Sequence, residues 1–279
     1  MEYHSIQAED FSNFRLQLTR EERAEGTIAQ YLRDAAAFVR WTHGQLDEQS
    51  ATRYKAYLLQ KGYAPVTINA KIAGVNRFLQ FLGKRDWKTR ALRLQKSAFR
   101  DERRELTQAE FQRLVKQAEK RSRRLALLME TICATGIRVS ELRYITVETV
   151  RQAKAAIRMK GKVRTIVIPQ RLCRKLLRYA REKKIASGEI FLTRSGKSIS
   201  RRQIWAEMKQ LAAAANVEPT KIFPHNLRHL FASVYYRAYH DIASLADVLG
   251  HASIETTRIY LAVSSAVHAQ RLEAMHMVT

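Results

Sequence analysis

The sequence predicts a mainly helical protein of two domains, a small N-terminal helical bundle and a larger C-terminal helical domain with a small antiparallel β-sheet. Three observations lead to this prediction. Apolar residues follow helical spacing through most of the 279 residues, only one stretch has the pattern of a β-hairpin, and one charged run poor in apolar residues divides the chain. A chain of this length suits two domains that each bury a core.

The N-terminal part of the chain has the pattern of about four helices. The first is followed by a polar loop that ends in Gly26, and Thr27 is a candidate cap for the second helix. Two further helical segments are predicted around 51–60 and 66–82. We therefore assign residues 1–96 to a helical bundle.

The segment between the two predicted domains is charged and basic. We assign residues 97–106 to a linker, because the run that contains them has few apolar positions. Thr107 and Glu110 then form the pattern of a capping box, which marks the start of a helix. Residues 107–279 are assigned to the second domain.

The second domain is predicted to open with two helices, at about 107–120 and 123–134. Gly136 ends the second of these helices, and Arg138 follows in the turn. Glu141, three residues later, is expected to orient Arg138 or to cap the next helix, and we favour the supporting role.

The hairpin is predicted at 155–168, where β-branched residues surround a turn that contains Gly161. Lys160 and Lys162 flank this glycine. Two more helices are predicted downstream, at 171–185 and 200–215.

The stretch that begins at Phe223 concentrates side chains that suit a phosphate. His225 and Arg228 are three residues apart on a predicted helix, so they emerge on one face near its start. A helix N-terminus favours an anion, and the arginine fork matches phosphate oxygens.

A second group of such residues follows the end of that helical region. His251 comes directly after Gly250, which suits the C-terminus of a helix. Ser253 is a candidate N-cap for an amphipathic helix that carries Tyr260. A tyrosine hydroxyl near arginine and histidine side chains is a candidate nucleophile toward a phosphodiester.

The charge of the chain indicates a polyanionic partner. Fifty lysines and arginines stand against 26 acidic residues, a formal charge of +24, of which +18 lies beyond residue 97. Nucleic acid is the first candidate for such an excess.

The two cysteines have no pairing pattern, and neither a signal peptide nor a membrane span is recognisable, so we expect a cytoplasmic protein.

The sequence favours neither a metal nor a nucleotide cofactor. His225 and His229 have the spacing of zinc ligands on a helix. However, Arg228 lies between them and would repel a cation, and the glutamate base of a zinc protease motif is missing. His229 is better interpreted as a packing or supporting residue. No phosphate-binding loop of the Walker type occurs.

Four motifs together resemble the signature of the tyrosine recombinases, also called the phage integrase family. They are HNLRH with His225 and Arg228, LGH ending at His251, the tyrosine nine residues later at Tyr260, and TGIRVSEL with Arg138. The resemblance is close over about the last 175 residues. Within the family, the chain is similar to the Xer and simple integrase types. The resemblance implies that the N-terminal bundle is the family's core-DNA-binding (SAM-like) domain and that the second domain is its catalytic domain.

The resemblance also implies roles for the site residues. Arg138 and Arg228 would neutralise the phosphate oxygens, while Tyr260 would attack phosphorus and form a 3′-phosphotyrosyl bond. His225 would assist proton transfer and His251 would hold a phosphate oxygen. The family carries a catalytic lysine on the hairpin. We favour Lys160 over Lys162 because it precedes the glycine, although the family's K-G-x-x-x-R pattern is shortened here and ends at Arg164.

The resemblance implies double-stranded DNA with specific recombination sites as the partner, and a cytoplasmic, nucleoid-associated location. It further implies a homotetramer on paired DNA sites, in which the helical C-terminal tail docks into a neighbouring subunit. The apolar spacing of the tail suits an ordinary packing helix equally well. The expected activity is site-specific recombination, as in integration of a mobile element. The alternatives are strand relaxation of the type IB topoisomerase kind and a catalytically inactive DNA-binding protein.

Overall fold

The protein is mostly helical, as the sequence predicted, and its described residues include two small antiparallel strand pairs. The structure is a computed structural model that describes residues 4–94, 104–159, 162–251, 253–257 and 273–274. The chain divides into two compact units, Met1–Lys96 and Ser97–Thr279. Within the described ranges, no helix is both long and apolar enough to cross a membrane.

The first unit is a bundle in which α2 and α4 form the central pair. Its helices within residues 4–94 are α1 (Ala8–Arg20), α2 (Glu25–Trp41), α3 (Ser50–Gln60) and α4 (Pro65–Phe81). Gly74 lets α4 approach α2 closely, because a Cβ at this position would lie 2.8 Å from Cβ of Asp34. The aromatic side chains of Phe14, Phe38 and Phe78 are fully buried around this pair.

Two details of the first unit differ from the prediction. Helix α2 begins at Glu25, so Thr27 lies inside its first turn and does not cap it. The residue before the helix is Ala24, which offers no side-chain cap, and the acidic Glu25 complements the helix dipole there. A two-residue strand pair, β1 (His4–Ser5) with β2 (Gln45–Leu46), was not predicted because two residues are too few to form a pattern.

Two asparagines on one face of α4 hold the extended segment that follows the bundle. The side-chain amide of Asn76 donates to the carbonyl of Thr89 at 2.8 Å and accepts from its N–H at 3.1 Å. Asn69, seven residues earlier, forms the same pair of bonds with Leu92, at 2.9 and 2.7 Å. The chain therefore remains attached to the bundle as far as Leu92.

The second unit is built around α6, which is buried on nearly all sides. Its described helices and strands are α5 (Gln108–Arg121), α6 (Arg123–Thr135), α7 (Val147–Arg151), β3 (Lys154–Met159), β4 (Lys162–Val167), α8 (Gln170–Glu182), α9 (Arg201–Lys209), α10 (Ala212–Ala215), α11 (Pro224–Tyr239), α12 (Ile242–Leu249) and α13 (Ile254–Thr257). Five consecutive residues of α6, from Leu125 to Met129, are buried, because α5, α8 and α11 pack around this helix.

The predicted start and end signals of α5 and α6 are confirmed. The Thr107 hydroxyl accepts from the N–H of Glu110 at 3.2 Å, and the Glu110 carboxylate accepts from the N–H of Thr107 at 2.8 Å. Gly136 follows α6 in the left-handed conformation, with φ of 64°. A side chain other than hydrogen is disfavoured there.

The hairpin is antiparallel, and its register pairs Lys154 with Val167 and Met159 with Lys162. The single helix predicted at 200–215 is wrong, because α9 ends at Lys209 and the short α10 follows as a separate turn. The buried side chain of Leu211 lies between them and joins the core.

Candidate active site

The second unit contains a cavity of about 810 Å³ whose wall comes from five separate parts of the chain. These are the turn after α6, the hairpin, the start of α9, the start of α11 and the residues after α12. Four residues that the sequence singled out line it together: Arg138, His225, Arg228 and His251. The fold thus brings side chains more than 100 positions apart in sequence to one cavity.

Arg138 is held at the cavity by Glu141. It precedes a 3₁₀ turn, Val139–Tyr144, and its backbone N–H donates to Oε2 of Glu141 at 2.7 Å. Its side-chain Nη1 donates to Oε1 of the same carboxylate at 3.0 Å. Glu141 is 1% exposed, whereas the Arg138 side chain is 40% exposed. Glu141 therefore orients the guanidinium group, the role that we favoured from the sequence, and also caps the turn.

Arg228 is a buried cation, only 1% exposed, one turn into α11. Nη1 donates to the carbonyl of Gly136 at 2.5 Å, and Nη2 donates to the carbonyl of Leu249 at 2.7 Å. These carbonyls lie at the C-terminal ends of α6 and α12, where the helix dipoles favour positive charge. Arg228 is thus fixed by the backbone of both helices.

His251 connects Arg228 to the short helix α13. Its Nε2 lies 3.1 Å from Nη2 of Arg228, and its Nδ1 lies 2.8 Å from the hydroxyl of Thr257. Arginine can only donate, so Nε2 is the acceptor and the proton is on Nδ1. Partial burial and the charges of Arg228, Arg138 and Arg164 lower the pKa of His251 to about 4. The ring is therefore neutral at pH 7.

His225 lies in the first turn of α11, beside both arginines. Its ring meets that of His229 edge to face, with 4.5 Å between the ring centroids. Partial burial lowers the pKa of His225, and the positive charges of Arg228 and Arg138 lower it further. A neutral imidazole at this position can accept a proton.

Arg164 is a residue of the site to which the sequence assigned no role. It extends from β4 and is 15% exposed; Nη2 donates to Oε2 of Glu141 at 2.5 Å, and Nη1 donates to the carbonyl of Val248. The only signal in the sequence was its place at the end of the shortened lysine-glycine pattern. Spacing along one hairpin cannot indicate a partner on a different turn.

Two of the six predicted site residues, Tyr260 and Lys160, lie outside the described residues. The same holds for most of the predicted linker and for the tail except residues 273–274. Helix α13 is described as far as Thr257, with Ser253 accepting from the N–H of Glu255 at 3.2 Å, as expected of a cap. Among the described residues, no group of three or more His, Cys, Asp or Glu side chains is arranged to hold a metal ion.

Two models of known protein families match the chain, one in each unit. Residues 104–266 match the model of the phage integrase family, and residues 12–86 match that of the phage integrase N-terminal SAM-like domain. The chain belongs to the phage integrase family. Sequence similarity extends over nearly the whole chain: it is 28% identical to tyrosine recombinase XerA of Pyrococcus furiosus over 274 residues, which cover 95% of this chain and 93% of that one.

Solved structures of the phage integrase family have the same fold. A lambda integrase dimer bound to a COC′ core site superposes with a TM-score of 0.71 at 16% identity, covering 91% of this chain and 94% of that one. The XerH recombinase bound to its difH substrate, in a pre-cleavage complex, gives a TM-score of 0.63 at 20% identity, covering 81% and 69%. At these identities the likeness concerns the fold alone.

Proposed function

We propose that this member of the phage integrase family is a site-specific DNA recombinase of the Xer or simple integrase type. It would cut and rejoin DNA strands through a covalent 3′-phosphotyrosyl intermediate. The observation that carries the proposal is the meeting of Arg138, His225, Arg228 and His251 at one cavity. Tyr260 follows His251 by nine residues, a short stretch of chain from which to reach the same cavity.

The two arginines would stabilise the charge that develops on the phosphate. In a pentacoordinate transition state, negative charge builds on the non-bridging oxygens, and fixed guanidinium groups lower its energy. Arg228 is suited to this role because three contacts already hold it in place, so little reorganisation is needed. Arg138, more exposed, offers the second positive charge, and His251 would help to hold an oxygen.

The chemistry would exchange one phosphate ester for another. The oxygen of Tyr260 attacks phosphorus while the bond from phosphorus to the 5′ oxygen breaks. His225, neutral because its pKa is lowered, takes the tyrosine proton, and Lys160 gives a proton to the departing oxygen, which leaves as a 5′-hydroxyl. In the reverse reaction, a 5′-hydroxyl from another duplex attacks the phosphotyrosyl bond and reseals the strand. No metal or nucleotide enters the scheme.

DNA binding would use both units. We assign residues 1–96 to the core-DNA-binding domain, 97–106 to a basic linker and 107–279 to the catalytic domain, and the charge of +24 suits binding to the phosphates of a duplex. The assembly we propose is a homotetramer on two paired sites, with tail exchange between subunits. The protein would act on the DNA of the cytoplasmic nucleoid.

A two-site assay tests the proposal. Inverted repeats are first sought in the DNA that flanks the gene and tested for binding; the bound sequence is then placed twice on a supercoiled plasmid, with a plasmid that lacks it as the control. Recombinant products that need both sites, and that form in EDTA, support the proposal. Relaxation of either plasmid without recombination would indicate a topoisomerase. Binding without cleavage would indicate an inactive DNA-binding protein.

A further inference from the structure

Arg164 joins three parts of the site that are far apart in the sequence. It belongs to β4, its Nη2 contacts Glu141 in the turn that follows Arg138, and its Nη1 contacts the carbonyl of Val248 near the end of α12. Both terminal nitrogens are therefore engaged by the protein. Burial lowers the pKa of this guanidinium group, and the Glu141 carboxylate opposes that effect.

Arg164 packs directly against Gly250, where a side chain would leave no room for it. A Cβ built on this glycine would collide with Cδ of Arg164 and would lie 2.9 Å from its Nε. Gly250 is also in the left-handed conformation, with φ of 63°, and ends α12 directly before His251. The absence of a side chain at this position thus leaves room for the arginine to cross from the hairpin to Glu141.

The contact between Arg164 and Glu141 affects the geometry of Arg138. Oε2 of Glu141 accepts from Nη2 of Arg164 and from the backbone N–H of Arg138, so the Arg138 guanidinium group bonds to Oε1 alone. An arginine and an isolated carboxylate prefer two parallel hydrogen bonds. Without Arg164, the Arg138 side chain would compete for Oε2 and turn its fork toward Glu141.

We propose that Arg164 is a positioning residue for strand cleavage, which occupies Glu141 so that Arg138 keeps its fork open to the phosphate. The inference rests on the proposed function. On this proposal Arg164 acts through Arg138, and the experiment below distinguishes that role from a direct contact between Arg164 and the phosphate.

A double-mutant cycle tests this inference by single-turnover cleavage of a nicked duplex that traps the covalent product. Arg164→Ala should slow cleavage about 10- to 100-fold, the range known for outer partners that orient metal ligands. The double variant Arg164→Ala/Arg138→Ala should be no slower than Arg138→Ala, because the role of Arg164 is exerted through Arg138. Lys154→Ala, an exposed residue on the same hairpin with the same change in charge, should cleave at the wild-type rate.

Two results would overturn the inference. One is an Arg164→Ala variant as fast as wild type, and the other is a double variant at least tenfold slower than Arg138→Ala, as expected of an independent phosphate ligand. If Arg164→Ala unfolds at the assay temperature, Arg164→Gln takes its place, because it removes the charge but keeps most of the length and a donor.

Failure of the proposed function is a separate outcome. If wild type forms no covalent product, that function is wrong, and a crystal structure of the Arg164 variant then tests separately whether Arg164 orients Arg138. Arg138 paired through both terminal nitrogens with Glu141 supports it. An Arg138 side chain that keeps its single contact to Oε1 overturns it.

Discussion

Arg228 donates from Nη2 to Nε2 of His251 across 3.1 Å, so the buried cation of the site depends on a neutral histidine. Protonation of His251 would remove the acceptor and place a second positive charge against Arg228. The Thr257 hydroxyl completes the arrangement by accepting a hydrogen bond from Nδ1–H, which carries the one ring proton. The end of α12, the start of α11 and α13 are thereby linked through one imidazole.

This contact predicts that stability falls in mild acid. The folded pKa of His251 is about 4 and its ordinary value is 6.5. Between these values the unfolded chain binds a proton that the folded chain does not, so the free energy of unfolding decreases as pH falls from 6.5 to 4. A shift of this size corresponds to about 3 kcal/mol, and solvent screening of a partly exposed ring reduces the expectation to about 1–2 kcal/mol.

Urea unfolding at pH 7 and pH 5 measures the part of this loss that falls between pH 6.5 and pH 5. His251→Gln keeps an acceptor for Arg228 but does not titrate, so it should lose less stability than wild type over this interval. His240→Asn is the control, because His240 is exposed and asparagine tolerates its left-handed backbone. An identical pH dependence in wild type and His251→Gln would contradict the predicted role of the ring.

Arg228 should be the costliest arginine in the site to remove. Arg228→Ala leaves the carbonyls of Gly136 and Leu249 buried without their donor, and each such loss costs about 1–3 kcal/mol. We expect a decrease of about 2–5 kcal/mol in the free energy of unfolding, with loss of cleavage. Arg237→Ala, at an exposed position on the same helix, should change stability by less than about 0.5 kcal/mol. Comparable values for the two variants in urea unfolding would contradict the buried role.

Gly136 offers a matched test of the turn that carries Arg138. Gly136 and Gly188 are both left-handed, with φ of 64° and 76°, but a Cβ at Gly136 would lie 2.5 Å from the Phe231 ring, whereas Gly188 has open space. Gly188→Ala should cost about 1 kcal/mol through backbone strain alone. Gly136→Ala should cost about 2–4 kcal/mol, since overpacking adds to the strain. Equal shifts in thermal unfolding would show that the turn accommodates the methyl group.

Much of the fold was predictable because its signals are local. The capping box at Thr107 and the stop at Gly136 each act within a few residues, and the structure agrees with both. The gap between α9 and α10 was not predictable, because the burial of Leu211 depends on the rest of the unit. Thr27 failed as a cap since helix α2 had already begun two residues earlier.

Part of the candidate site was likewise predictable from the sequence, and part of it was not. Motif spacing singled out Arg138, His225, Arg228 and His251, and the structure brings these four to one cavity. Motif spacing did not reveal that Glu141 is shared between Arg138 and Arg164, because the contact with Arg164 joins positions 23 residues apart on different elements. Nor could spacing give the tautomer of His251, which depends on its contacts with Arg228 and Thr257.

The hairpin lysines can be distinguished chemically. If Lys160 is the general acid, Lys160→Ala should slow cleavage about 10²- to 10⁴-fold, because the 5′ oxygen leaves without a proton. A substrate with sulfur at that bridging position needs no proton and should restore the rate of this variant. Arg138→Ala should stay slow on it, and Lys162→Ala should be only mildly slow on either substrate. Rescue of Lys162→Ala but not of Lys160→Ala would assign the role to Lys162.

The central claim is that Tyr260 forms a covalent bond to DNA, and trapping on a nicked suicide duplex measures this directly. Wild type should accumulate a protein–DNA adduct that survives denaturation, with the DNA attached through its 3′ phosphate to a peptide containing Tyr260. Tyr260→Phe should bind the same duplex with unchanged affinity and form no adduct, since only the hydroxyl is lost. A covalent adduct that persists in Tyr260→Phe, or an adduct mapped to another residue, would contradict the account.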